Sequence, residues 1–110
     1  MQIAARRIDK TTIFDVTGDI DLANSPEVRK ALLKEIKETR TPRVVMNLLK
    51  VRYIDSSGVA SLVEGLKAAR DAGTRFILYG LSPAAREVLQ LSRLLKIFEV
   101  YESEEQALAG

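Results

Sequence analysis

Neither cysteine nor histidine occurs anywhere in the 110 residues. Without cysteine there is no disulfide scaffold, no thiol nucleophile and no thiolate metal site. Without histidine the chain lacks the commonest general base and the commonest metal ligand. No metal ion or other cofactor is expected. No glycine-rich loop ends in Gly-Lys-Ser/Thr, and no Gly-x-Ser-x-Gly elbow is present, so neither a nucleotide cradle nor a serine-hydrolase nucleophile is indicated. Long apolar runs are missing too. Val44-Val45-Met46 and Phe76-Ile77-Leu78-Tyr79 are typical of the longest stretches, far below the ~20 residues that span a bilayer. The N-terminus, Met1 to Asp9, reaches Arg6 and Arg7 before any apolar core of signal-peptide length can form. A cytoplasmic protein without membrane insertion is therefore expected. Net charge is only +2, too mild to imply nucleic acid.

The composition that remains is 46% hydrophobic and 29% charged, the balance of a soluble folded domain rather than a disordered chain. No linker, low-complexity stretch or internal repeat divides it, and one domain over residues 1–110 is expected. Ile13-Phe14-Asp15-Val16-Thr17 reads as a strand stopped by Gly18. An earlier strand near Gln2–Ile8 would pair with it as a hairpin turning at Asp9-Lys10-Thr11. Ser25 is placed to cap a helix with Pro26 in its first turn. Val28, Leu32 and Ile36 form that helix's buried stripe, and Thr41-Pro42 ends it. Arg43 to Leu48 is apolar on both alternating faces, as an interior strand is. Val59, Leu62, Val63 and Leu66 recur at helical spacing, with Gly73 as the C-terminal cap. Arg75–Tyr79 is another buried strand, and Ser82-Pro83 opens a third helix. Phe98–Tyr101 reads as an edge strand, and Ser103 to Gln106 has the spacing of a capping box. The class predicted is α/β: an opening hairpin, then alternating strands and helices, giving a mixed sheet with about four packed helices.

The stretch Ile54-Asp55-Ser56-Ser57-Gly58-Val59 is the most informative. It is a tight loop feeding a helix. Asp55 or Ser56 can cap the first amides, and Gly58 permits close approach. Capping alone is the simpler reading of such a cluster. Yet one cap suffices, and three cap-type residues stand in a row. The surplus hydroxyl lies beside the positive end of a helix, where a phosphate is well tolerated.

With Val16-Thr17-Gly18-Asp19-Ile20-Asp21-Leu22 upstream, Val44–Leu48 leading into Ile54–Gly58, then Gly80–Leu89 and Leu94–Phe98, the chain resembles a STAS domain (sulfate transporter and anti-sigma factor antagonist) of the antagonist type. The resemblance spans nearly the whole chain. It implies a phosphorylation-controlled protein switch acting on transcription indirectly, with no catalysis of its own. Ser56 becomes the phosphoacceptor for a partner that is both anti-sigma factor and serine kinase, with a phosphatase to reset it. Asp55, Ser57 and Gly58 form the immediate setting. Asp21, with Asp19 as an added acid, stands near that serine in the family; equally, Asp21 could be an ordinary loop residue or a cap for the helix at Ser25. Asn47 stands where many members carry aspartate, a departure expected to leave the acceptor loop intact. Asp21, Asp55, Ser56, Ser57, Gly58 and the helix beginning at Val59 together make the expected partner-binding surface.

Three other readings compete with this one. A Ser–Lys nucleophile pair would need Lys50 or Lys67, and Lys67 falls on a polar helix face. The basic run Arg29, Lys30, Lys34, Lys37, Arg40 and Arg43 is interrupted by Glu35 and Glu38 and carries no aromatic for base stacking, so direct nucleic-acid binding is not expected. Finally, STAS domains also serve in stress-signalling scaffolds and as subunits of ABC-type lipid transporters, where the partner would be a membrane transporter complex.

Overall fold

The computed structural model describes residues 1–109. Five strands form one sheet: β1 (Gln2–Ile8), β2 (Thr11–Thr17), β3 (Arg43–Lys50), β4 (Arg75–Tyr79) and β5 (Glu99–Tyr101). Their spatial order follows their sequence order. β1 runs antiparallel to β2, with Ile8 opposite Thr11. The turn is therefore the two residues Asp9-Lys10, one shorter than expected. Asp9 takes the left-handed backbone (φ 54°) that aspartate tolerates. All later neighbours are parallel. The mixed sheet and the hairpin opening agree with the class read from sequence.

Strand alternation sorts the core into two layers. Phe14, Val16, Val44, Met46, Leu48, Phe76 and Leu78 face one way. They are covered by α1 (Ser25–Lys34), α2 (Ser56–Ala72) and α3 (Pro83–Leu91). The expected stripe of Val28, Leu32 and Ile36 is fully buried there. Ile13, Val45, Ile77 and Tyr79 face the other way and meet Ala107 of the short helix α4 (Glu104–Ala109). α1 and α2 approach closely through small residues. A Cβ on Gly65 would lie 2.9 Å from Leu32 Cδ1, and Ser61 Oγ donates to the Ser25 carbonyl at 3.1 Å.

Two helix ends differ from expectation. Ser25 is not the cap of α1: it is the first helical residue, buried, and Asn24 holds the cap position without a side-chain capping bond. The preceding turn takes over. The Asp21 carbonyl accepts from the amides of Asn24 (3.2 Å) and Ser25 (2.7 Å). At its far end α1 widens into a π-helical turn, Glu35–Thr39, closed by Arg40 in the left-handed region (φ 57°) before Thr41-Pro42 is reached. Glu35, the first residue of that turn, is buried. It accepts from Thr12 Oγ1 (2.8 Å), Thr41 Oγ1 and both terminal nitrogens of Arg7 (3.2 Å each). No helix among the described residues is long and apolar enough to cross a membrane.

Candidate functional site

Parallel strands deliver their C-terminal ends to one rim of the sheet, the usual location for function in such folds. Beyond β2 and β3 the two chains continue side by side as loops. Gly18 N donates to the Lys50 carbonyl (3.0 Å), Ile20 N to Tyr53 (3.1 Å) and Asp55 N back to Ile20 (3.1 Å). Ile20 and Ile54 form an isolated parallel bridge, both side chains wholly buried. Two apolar anchors thus hold two polar loops in register.

Asp55 joins those loops to α2. It sits in extended backbone at the N-cap. Its Oδ1 accepts from Gly58 N at 3.0 Å and its Oδ2 from Leu22 N at 3.0 Å. One carboxylate therefore satisfies an orphan amide of the helix and an amide of the neighbouring loop. No acidic residue lies in the first turn of α2, so the positive end of a 17-residue helix is met by Asp55 alone.

The capping role falls to Asp55, which leaves both serines available. Ser56 is the first residue of α2 and is exposed. Ser57, the next residue, is half-buried. Among the described residues neither hydroxyl is engaged in a hydrogen bond. Gly58 is buried against the Ile20 loop. A Cβ there would stand 2.6 Å from Ile54 Cγ2 and 2.7 Å from the Ile20 carbonyl. Val59 is 5% exposed. The helix begins three residues before it, and Val59 supports the surface from within.

Asp21 is a residue of the loop that leads into α1. Its Oδ1 accepts from Ala23 N (3.0 Å) and Asn24 N (3.2 Å), so it builds the turn that starts α1. The next residue, Leu22, ties that turn to Asp55. Asn24 completes the brace: Oδ1 accepts from Asp21 N (2.8 Å) and Nδ2 donates to the Asp19 carbonyl (2.8 Å). A third loop joins through Ser82, which accepts from Ala85 N as the cap of α3 and donates to the Arg52 carbonyl at 2.7 Å. Alongside Ser56, a shallow groove of about 500 Å³ runs between α2 and α3 over Val59, Ala60, Val63, Val88 and Leu94.

Asn47 lies elsewhere. Its Nδ2 donates to Asp15 Oδ1 at 2.7 Å, within a polar cluster that also holds Arg6, Tyr79 and Glu104. The Arg6 guanidinium, then Asn47, holds the Asp15 carboxyl below its usual range against the opposing effect of burial. Leu22 and Asn24 were not singled out from the sequence. Asn24 was legible as a turn-former before Pro26; Leu22 was legible only as an apolar residue in a polar loop.

The family model for the STAS domain matches residues 2–107, and the chain belongs to that family. It is 32% identical over 101 residues to the anti-sigma-B factor antagonist of Listeria monocytogenes, covering 91% of this chain and 86% of that protein. It is 25% identical over 108 residues to the anti-sigma F factor antagonist of Paenibacillus polymyxa, covering 98% and 92%. The crystal structure of an anti-sigma factor antagonist from Mycobacterium paratuberculosis shares the fold, with a TM-score of 0.87 at 23% identity over 98% of this chain and 91% of that one.

Proposed function

We propose that this chain is an anti-sigma factor antagonist switched by phosphorylation of Ser56. Unphosphorylated, it binds an anti-sigma factor that is also a serine kinase, and so frees a sigma factor. Phosphorylated, it lets go, and a phosphatase restores it. The chain itself catalyses nothing and works in the cytoplasm. The observation that carries the reading is the division of labour at the start of α2: Asp55 caps the helix and Ser56 stands exposed with an unengaged hydroxyl. The relatives named as antagonists support it.

The mechanism follows from charge. Phosphate brings roughly −1.5 to −2 charges and three acceptor oxygens to that position. At the helix N-terminus the fold tolerates it. Against a partner surface built for a neutral hydroxyl, it imposes desolvation and repulsion from any carboxylate nearby. A few kcal/mol shifts binding by more than ~100-fold without a change of fold.

The test is phosphorylation by the cognate kinase with the site mapped by mass spectrometry. Ser56→Ala should fold, escape phosphorylation and bind permanently. Ser56→Asp should weaken binding, but less than phosphate, because it carries one charge. Phosphate on Ser57 with Ser56 unmodified, or unchanged affinity after full modification of Ser56, overturns the reading.

A further inference from the structure

Leu22 is 74% exposed, and its surroundings fix its position. Its amide donates to Asp55 Oδ2, the residue immediately before Ser56. The turn beneath it is closed by four bonds to Asp21 oxygens and by both ends of the Asn24 amide. An exposed leucine on a mobile loop means little. One on a braced turn is a preorganised contact, with little ordering entropy left to lose on binding.

What covers it follows from the chemistry at Ser56. An enzyme that transfers a phosphoryl group to the Ser56 hydroxyl must bring its reacting atoms to about 3 Å from it. A standard protein contact covers about 800 Å² on each partner. Leu22 is one hydrogen bond from the adjacent residue, so it falls inside any such footprint. The polar residues around it are generic: Asp21, Asp55, Ser56 and Ser57 are ones that any capped turn could carry, and the groove beside Ser56 is shallow. Of the large apolar side chains on these two loops Leu22 stands furthest into solvent, 74% exposed against 46% for Tyr53, and that is the feature a partner can tell apart.

We infer that Leu22 is the specificity-determining contact by which the Ser56 kinase selects this chain, seated in an apolar pocket on the kinase beside its active site. The inference rests on the reading of Ser56 as phosphoacceptor. The Leu22 side chain has no proton to give or take, so its effect belongs in recognition and not in the chemical step.

The experiment uses extract of the cells that express the chain, with ATP and magnesium, as the kinase source. Purified wild type, Leu22→Ala and Ile8→Ala are supplied over a range of concentrations, and phosphate on Ser56 is quantified by mass spectrometry. Ile8 is also exposed, but lies at the hairpin, the opposite end of the sheet. Leu22→Ala should keep the wild-type melting curve and raise the apparent KM about tenfold or more with kcat retained, as loss of a buried leucine contact implies. Ile8→Ala should behave as wild type. Equal kinetics for Leu22→Ala and wild type, a fall in kcat at constant KM, or an equal loss in Ile8→Ala each overturns the inference while the reading of Ser56 stands. Wild type left unmodified on Ser56 would remove that reading, and this inference with it.

Discussion

Gly58 has no room for a side chain. A methyl group there must enter space held by Ile54 Cγ2, the Ile20 carbonyl and Ile20 Cγ2, all within 2.9 Å. The Ile20 carbonyl is backbone and already accepts from Asp55 N. It can move only by parting the two loops. Gly58→Ala should therefore cost about 1–3 kcal/mol, the usual penalty of overpacking, and weaken partner binding as well. Urea denaturation checks the first effect, and an unchanged midpoint would refute the steric account. The same loops explain why Asp55 is more than a cap. Its second oxygen holds the Leu22 amide, so truncation at Asp55 loosens α2 and its neighbour together.

At the scale of elements, two attachments differ in strength. The buried Glu35 clamp joins three parts of the chain through Arg7, Thr12 and Thr41. Glu35→Ala leaves two buried threonine hydroxyls without their acceptor and should cost about 2 kcal/mol, the worth of hydrogen bonds to a charged group. A thermal or urea melt measures it. α4 is held more lightly. Six residues cannot sustain an isolated helix. This one depends on burial of Ala107, on Arg43 donating to the Leu108 carbonyl (3.2 Å), and on Glu104 bonded to Arg6 and Tyr79. Arg6→Ala should speed hydrogen exchange across α4 and leave β3 protected, because the lost pairs are partly exposed and contribute little globally. Exchange rising equally in both elements would mean that α4 is integral to the core.

For the whole molecule, the α4-side face of the sheet makes stability depend on pH. Hydrogen bonds from Arg6 hold Asp15 and Glu104 below their ordinary values of 3.8 and 4.5, and Arg75 does the same for Glu99. Carboxylates with depressed folded values stabilise the native state above their unfolded values. That contribution disappears as pH falls through the folded ones. Stability should hold from neutrality to about pH 5 and decline below pH 4. Tyr79 acts at the other limit. Burial first, and its bond to Glu104 second, raise its phenol above the ordinary 10.0. Its contribution is complete below pH 10 and is lost as pH rises further. Urea midpoints from pH 3 to 11 test both arms, and Asp15→Asn should flatten the acid one.

The sequence by itself determined the class of fold, because periodicity is local. Strand alternation in Arg43–Leu48, the stripe of Val28, Leu32 and Ile36, and the punctuation at Ser82-Pro83 and Gly73 each declare an element from its own residues. It also marked Asp55 and Ser56 as the start of a helix and Asp21 as a residue of interest. What it left open were contacts across distance. Ser25 looked like a cap until the turn at Asp21 supplied those amides with acceptors. The π-helical turn after α1 runs on to Arg40, and its Glu35 is bonded to residues far away in the chain. Asp55 and Ser56 were equally good caps on spacing alone. Only the packing of one loop against another gave Asp55 a second amide to hold. Asp55 caps α2 with one oxygen and holds the Leu22 amide with the other, and Ser56 stands exposed as the first residue of the helix.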